Sequence, residues 1–207
     1  MVSYTLDRVF ERVEKAGIDP TVSAKKADAR NWFRQNVSNV RITPSSVIRS
    51  DPKRLTDKPI LGAMYLFEYD PKLKKVLPYY DRFPLVFPIG SGRTTGYAKQ
   101  GDSFLGLNMH YLPPLLRARL MERLWNLSST KKEITEQTRL KLSYSLLQQA
   151  ASNGFYKPCV KRYIVEHIQT RFLYIHPEEW EMVMFLPLDR FIGATRNQVY
   201  KDSRNAI

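Results

Sequence analysis

The nearest approach to a catalytic pattern is a short acidic and basic run that contains Glu68, Asp70 and Lys72. In metal-dependent nucleases, two carboxylates hold a divalent cation and a nearby lysine supports the attacking water. Pro71 lies inside the run, however, and an Asp-Pro pair is more typical of a strand that ends in a turn. A metal-dependent nuclease is therefore a minor hypothesis on these three residues.

Other catalytic chemistry has little support. His110, His167 and His176 are far apart and lack the spacing that sets two metal ligands on one helix face. Cys159 is the single cysteine, so we expect a buried structural thiol in a protein made in a reducing cytosol. The glycine-rich loop 90–96 lacks the Gly-Lys-Ser/Thr ending of a nucleotide-hydrolysing loop. We predict a protein that is not an enzyme, with no catalytic residue, metal or cofactor.

A strong positive charge favours binding instead. The 207 residues include 33 Lys and Arg against 20 Asp and Glu, which gives a net charge of +13. Such a charge attracts nucleic acid or acidic protein surfaces, although solvated surface positions remain the alternative. The basic excess is largest between residues 113 and 177. The candidate DNA- or partner-binding residues are Arg93, Lys99, Arg117, Arg119, Arg123, Lys131, Lys132, Lys161 and Arg162.

Aromatic residues beside charges form a second group of candidates. Tyr79 and Tyr80 lie among prolines, and we expect them at a surface where they stack on bases or pack against a protein. Tyr163 follows two basic residues, but its helical spacing is more typical of the core.

Residues 1–60 predict a helical arm followed by an extended basic linker over 41–59. Phe10, Trp32 and Phe33 are the candidate partner-anchoring residues of the arm, which has little core of its own. Two alternatives stay open: the arm and linker wrap a neighbouring chain, or they dock on their own chain.

Residues 61–112 predict an antiparallel β region. Strand-like patterns at 64–69, 85–87 and 104–110 indicate a small sheet or partial barrel, and the first of them is expected to form a hairpin with 74–77. Pro78, Pro84 and Pro88 remove backbone donors, so we expect their segment at an edge or in an irregular crossing.

Residues 113–207 predict a helical region packed on the sheet. A helix is expected to begin at Pro113 and Pro114, and another to end at Asn153 and Gly154. Pro158 is expected to open a further helix, followed by a strand over 172–175 and a last helix over 195–205. The fold class is α+β. The N-terminus lacks a signal-peptide core and the chain lacks a long apolar run, so export and membrane insertion are not expected.

Five stretches resemble virion-associated proteins of T-even-like, contractile-tailed bacteriophages. They are YLFEYDPK at 65–72, LPYYDRFPLV at 77–86, FLGLNMHYLPPLLRARLM at 104–121, PCVKRY at 158–163 and FLPLDRF at 185–191. The resemblance covers roughly residues 60–207 and carries over no catalytic residue.

The resemblance implies a structural virion protein, made in the host cytoplasm and then held in the virion. It implies a DNA-end-protecting or head-tail type, whose basic surfaces bind double-stranded DNA or other virion proteins. The alternative is a tail baseplate or tail-hub component without DNA contact. No membrane partner is expected.

Overall fold

A computed structural model describes residues 42–91, 103–129, 135–154 and 156–205. Its strands are β1 (Leu55–Thr56), β2 (Met64–Leu66), β3 (Tyr80–Asp81), β4 (Leu85–Ser91), β5 (Ser103–Asn108), β6 (Val160–Ile164), β7 (Phe172–Ile175) and β8 (Phe191–Ile192). Six of them form one open antiparallel sheet in the order β1-β7-β2-β4-β5-β6, whereas β3 and β8 pair in a separate ribbon. The sheet takes strands from all three predicted regions of the chain.

The helices begin and end at recognisable signals. They are α1 (Pro44–Arg49), α2 (Pro114–Ser129), α3 (Glu136–Ser152), α4 (Trp180–Val183) and α5 (Arg196–Asn205). The Thr43 hydroxyl accepts the first-turn amide of Ser46, and the Thr135 hydroxyl does the same for Thr138. The α+β class is therefore confirmed, as are the start of α2, the end of α3, the strand over 172–175 and the last helix.

The sheet buries both faces. Alternate residues of β2 illustrate the pattern, because Met64 and Leu66 join the larger core with the helices, whereas Tyr65 joins a second cluster. The larger core includes Leu120 of α2 and Leu147 of α3. The second cluster is mainly aromatic and consists of Ala63, Tyr65, Phe67, Tyr69, Val86, Phe104, Tyr163 and Phe172.

One glycine fixes the distance between the sheet and α3. Gly62 has a φ of +81°, which disfavours any residue with a Cβ. A Cβ there would also lie 2.6 Å from the Leu140 carbonyl oxygen and 2.9 Å from the Tyr144 Cβ. Only glycine therefore allows the chain entering β2 to contact the backbone of α3.

The predicted helix after Pro158 is wrong. Pro158 lies in a 3-10 turn over Lys157–Cys159, and the chain then enters β6. Two β-branched residues and a tyrosine within β6 suit a strand. Strand β6 pairs with β5, with Lys161 opposite Gly106, and this pairing supplies the backbone hydrogen bonds. The helical spacing in this segment was overridden by sheet pairing.

The extended linker is also wrong within residues 42–59. Helix α1 forms there and buries Val47 and Ile48 in the larger core, and β1 pairs with β7. The buried apolar side chains of α1 therefore pack this segment against the body of its own chain. The arm over residues 1–41, with Phe10, Trp32 and Phe33, lies outside the described residues.

Two expectations about the sheet also need correction. Residues 74–77 form a turn rather than a strand, and β2 pairs with β4 and β7 instead. Strand β4 is central rather than an edge, but its register shifts between Pro88 and Gly90. That irregularity is where a missing proline donor interrupts the ladder. A membrane-spanning helix is absent from the described part of the chain.

Candidate functional site

A tyrosine-walled pocket lies beside the edge strand β6. The cavity measures about 420 Å³, within the range of small-molecule sites. Its walls come from the segment 69–81, from β6 and from the turn after β5. Five tyrosines line it, together with three cations and one carboxylate: Tyr69, Tyr79, Tyr80, Tyr111, Tyr163, Lys72, Lys161, Arg162 and Asp81. We call this cavity the tyrosine pocket.

Lys161 supplies the innermost positive charge of the tyrosine pocket. Its Nζ lies 4.3 Å from the centre of the Tyr111 ring, which is a cation–π distance. Burial lowers the pKa of Lys161, because desolvation disfavours the charged amine. Among the described residues, no carboxylate lies within ion-pair distance of this amine. A desolvated cation without such a partner favours an anion from outside the chain.

The aromatic walls are held by their neighbours. Tyr69 and Tyr163 meet edge to face with ring centres 5.1 Å apart, and Tyr79 and Tyr111 lie 6.1 Å apart. Phe191 of β8 packs edge to face on Tyr111 at 5.1 Å. Burial raises the pKa of Tyr111 and Tyr163 far above the usual value, so both hydroxyls stay protonated. The pocket is thus a fixed surface of aromatic rings.

Asp81 forms the polar floor, but its charge is already bound. Its Oδ2 lies 2.7 Å from His110 Nδ1 and accepts from Asn108 Nδ2 at 3.1 Å, while its Oδ1 accepts the Phe83 amide at 3.1 Å. Asn108 Nδ2 also donates to the Tyr163 hydroxyl at 3.0 Å. These bonds hold the carboxylate in the protein interior, where it orients the floor rather than pairing with Lys161.

Arg117, a predicted DNA-binding residue, is instead a buried structural residue. It is 4% exposed, because α2 turns this side chain inward. Its guanidinium donates to the carbonyl oxygens of Leu112, Met184 and His110 at 2.7 to 3.0 Å, and to the Tyr200 hydroxyl at 2.8 Å. The prediction assumed that every arginine outside the leucine stripe faces solvent, and that is wrong here.

The remaining candidates divide into three groups. Arg119 and Arg123 are exposed on α2, where their charges oppose the rise that burial causes in the Tyr156 pKa. Lys161 and Arg162 meet Tyr79 and Tyr80 at the tyrosine pocket, so two patches that are distant in sequence come together. The others lie outside the described residues: Arg93, Lys99, Lys131, Lys132, Phe10, Trp32 and Phe33.

The residues of the nuclease hypothesis have other partners. Glu68 accepts two hydrogen bonds from Arg82, at 2.8 and 3.0 Å, and Asp70 accepts one from Lys74 at 2.7 Å. The described residues contain no cluster of three metal-ligating side chains. These ion pairs fit the expected strand and turn, and the nuclease stays a minor prediction.

Sequence reasoning missed three residues of the pocket as binding residues. Tyr69 and Tyr111 were hidden among apolar residues, and Lys72 was considered only for catalysis. Tyr163 was expected in the core, and it is buried in the second cluster, although it also lines the pocket. The usable signal was the frequency of tyrosine, since the chain has 12. Tyrosine combines a stacking face with a polar tip, so a cluster of them marks a surface that is both apolar and wet.

An α+β body with an aromatic, basic pocket is typical of proteins that bind an anionic ligand carrying rings, as a nucleotide does. Residues 7–204 match the family described as Phage T4 terminal DNA protecting protein, and the chain belongs to this family. The resemblance to virion-associated proteins of T-even-like phages is thereby confirmed. No curated protein and no solved structure matches the chain. Contact of the chain with DNA, as opposed to a place in the tail baseplate or tail hub without DNA contact, stays a prediction.

Proposed function

We propose that this chain is a structural, DNA-end-protecting virion protein that binds a DNA terminus by taking its last nucleotide into the tyrosine pocket. The observation that carries this proposal is Lys161, a desolvated cation on an aromatic wall without a described carboxylate partner. Family membership supports the DNA terminus as the ligand.

The chemistry of a strand end matches the lining. A base stacks on tyrosine rings in a way that tolerates any sequence, and each stacked base contributes about 1–3 kcal/mol. Lys161 binds a phosphate as a point charge, and the exposed Lys72 and Arg162 bind the next phosphates along the strand. The cavity accommodates one nucleotide unit rather than a length of duplex. A frayed terminus offers such a unit at little unpairing cost.

Exposed cations on α2 extend the same function. Arg119 and Arg123 are solvent-facing, and they bind the duplex phosphates behind the terminus without reading sequence. Protection then follows from occupancy, because a bound terminal nucleotide is withheld from any exonuclease. No catalytic step is needed, in keeping with the prediction that the protein is not an enzyme.

Binding to matched DNA substrates tests this proposal. A hairpin duplex with one open end is compared with a covalently closed dumbbell of the same sequence, by fluorescence anisotropy at several salt concentrations. We expect tighter binding to the open hairpin, slower digestion of it by an exonuclease, and affinity that falls as salt rises. Equal binding to both DNAs would contradict end recognition.

Lys161→Met identifies the pocket as the site. Removing a charge-assisted contact is expected to weaken binding to the open hairpin about tenfold or more. Lys58→Met is the matched control, because Lys58 is exposed and does not line the pocket. If the two variants lose the same affinity for the open hairpin, the loss comes from the change in net charge, and the pocket is not the binding site.

A further inference from the structure

The loop over residues 72–77 has an exposed apolar surface at the rim of the tyrosine pocket. Val76 is 73% exposed and Leu73 is 59% exposed, and Leu73 and Leu77 also line the tyrosine pocket. Lys72 and Lys75, both exposed, flank this apolar surface. Large apolar groups in water are individually ordinary, but three of them on one short turn that also carries these two exposed lysines point to a binding surface.

The loop is an ordered structure. The amides of Val76 and Leu77 both donate to the Leu73 carbonyl at 3.0 Å, and the Lys74 amide donates to the Pro71 carbonyl at 3.1 Å. Lys74 Nζ also donates to Asp70 Oδ2 at 2.7 Å. The apolar side chains are therefore presented on a fixed turn, which lowers the entropy cost of placing them on a partner.

We propose that this loop caps the duplex terminus by laying Val76 and Leu73 on the outer face of the last intact base pair, which lies behind the nucleotide held in the tyrosine pocket. This inference rests on the proposed function, since it concerns the same DNA end. Within a continuous duplex both faces of every base pair are stacked, whereas the last pair exposes one flat apolar face to water. That face exists only at an end, so an apolar contact with it separates an end from continuous DNA.

The charges beside the apolar surface fit the same ligand. A terminal base pair is flanked by the first phosphates of both strands, and Lys72 and Lys75 lie on the loop that carries the apolar residues. Apolar side chains framed by basic ones are also used by proteins that wedge between base steps. The loop continues directly into the pocket, so one strand end enters the pocket while the loop covers the pair behind it.

Substitution at Val76 tests the cap, because this side chain does not line the pocket and is too exposed to support the core. We expect Val76→Ser to reduce the preference for the open hairpin over the closed dumbbell about fivefold, through lost apolar burial, and Val76→Leu to retain it. Ile60→Ser, at a large apolar residue that is 59% exposed and does not line the pocket, is the control and should have no effect. A single-stranded oligonucleotide, which needs only the pocket, should bind Val76→Ser as tightly as the wild type.

The outcomes separate the two proposals. If Val76→Ser keeps the full preference for the open end, the cap is overturned while end binding stands, and the loop is left as a surface for a protein neighbour. If it loses the oligonucleotide as well, the loop acts by supporting the pocket and the cap is again overturned. If the wild-type protein shows no preference for the open hairpin, the proposed function itself fails.

Discussion

Arg117 on α2 and Lys161 on β6 both carry positive charge into desolvated surroundings, and both charges oppose the rise that burial causes in the pKa of the nearby Cys159. The two cations differ in the partners that their own chain provides. Arg117 has four oxygen acceptors from its own chain, whereas Lys161 has an aromatic ring and no described carboxylate. We infer that the cation with internal acceptors holds the fold, whereas the cation without a described carboxylate is available to a ligand.

This comparison explains why basic residues cannot be ranked from composition alone. Arg117 and Arg119 are two positions apart on the same helix, yet the first is buried and the second is exposed. Successive side chains of a helix turn by about 100° per residue, so neighbouring arginines face different surroundings. The location of acceptors, rather than the density of charge, decides the role of each arginine.

The largest expected effect is on stability at Arg117. Arg117→Met leaves three buried carbonyl oxygens without these donors, and we expect a loss of about 3–5 kcal/mol in the free energy of unfolding. Denaturant unfolding followed by circular dichroism measures it. Arg119→Met on the same helix is the control, with an expected change within about 0.5 kcal/mol. If Arg117→Met loses as little stability as Arg119→Met, the hydrogen bonds of Arg117 do not hold the fold and this residue behaves like a surface cation.

Substitution of Lys161 should change the free energy of unfolding in the opposite direction. Lys161→Met removes a desolvated charge and leaves an apolar side chain against Tyr111, so we expect an unchanged or slightly higher stability, by up to about 1 kcal/mol. The same denaturant experiment measures it. A loss as large as that of Arg117→Met would mean that the amine has an internal structural role, and the contrast between the two cations would disappear.

The pH dependence of DNA binding sharpens the contrast. Burial lowers the pKa of Lys161 below its ordinary value of 10.5, so the amine loses its proton at a lower pH than exposed lysines do. Affinity for the open hairpin should therefore begin to fall at a lower pH than the titration of exposed lysines would cause, because the neutral amine no longer attracts phosphate. Lys161→Arg, which stays charged, should hold its affinity over the same range. Parallel curves for the two proteins would contradict a role for the amine.

The same shift has a consequence for folding with its own sign. The folded pKa of Lys161 lies below the unfolded one, so between these two values the unfolded chain binds more protons. Stability should therefore rise with pH across that window, as the desolvation cost of the charged amine disappears. Denaturant midpoints measured for the wild type and Lys161→Met at successive pH values would show the difference as a gap that closes on the alkaline side.

The sequence predicted much of the fold where one signal acted alone. Helix α2 began at its prolines, and α3 ended at Asn153, because capping chemistry is local. The prediction of a helix after Pro158 was wrong because Val160, Tyr163 and Ile164 suit either a helix face or a strand. Pairing with β5 selects the strand. The prediction of an extended linker over 42–59 was wrong because the few apolar residues of this segment, among them Val47, are buried by long-range contacts.

The candidate site was predicted only as separate pieces. Tyr79, Tyr80, Lys161 and Arg162 were identified for their chemistry, but about 80 residues separate the two groups, and only sheet topology brings them together. Composition gives no such distances. The depth of Lys161 was also beyond sequence, because desolvation depends on the tyrosines that enclose it.

The reactivity of Cys159 gives the smallest expected effect and the most specific test, because the charges of both cations act on the pKa of its thiol. Burial raises the pKa of this thiol to about 12, despite the opposing charges of Lys161 and Arg117. The native thiol should therefore remain protonated and react slowly with a disulfide reagent at about pH 8, where an exposed thiol reacts readily. Reaction in the folded protein then requires opening of the structure.

The rate of that reaction should follow the two cations differently. Arg117→Met increases the population of open forms, so its thiol should be modified faster than that of the wild type, about tenfold for each 1.4 kcal/mol lost from the free energy of opening. Lys161→Met should react no faster, because it keeps the fold and removes a charge that favours the thiolate. Fast modification in native wild type would show an exposed thiol. Acceleration in Lys161→Met would show that this lysine, like Arg117, holds the structure closed.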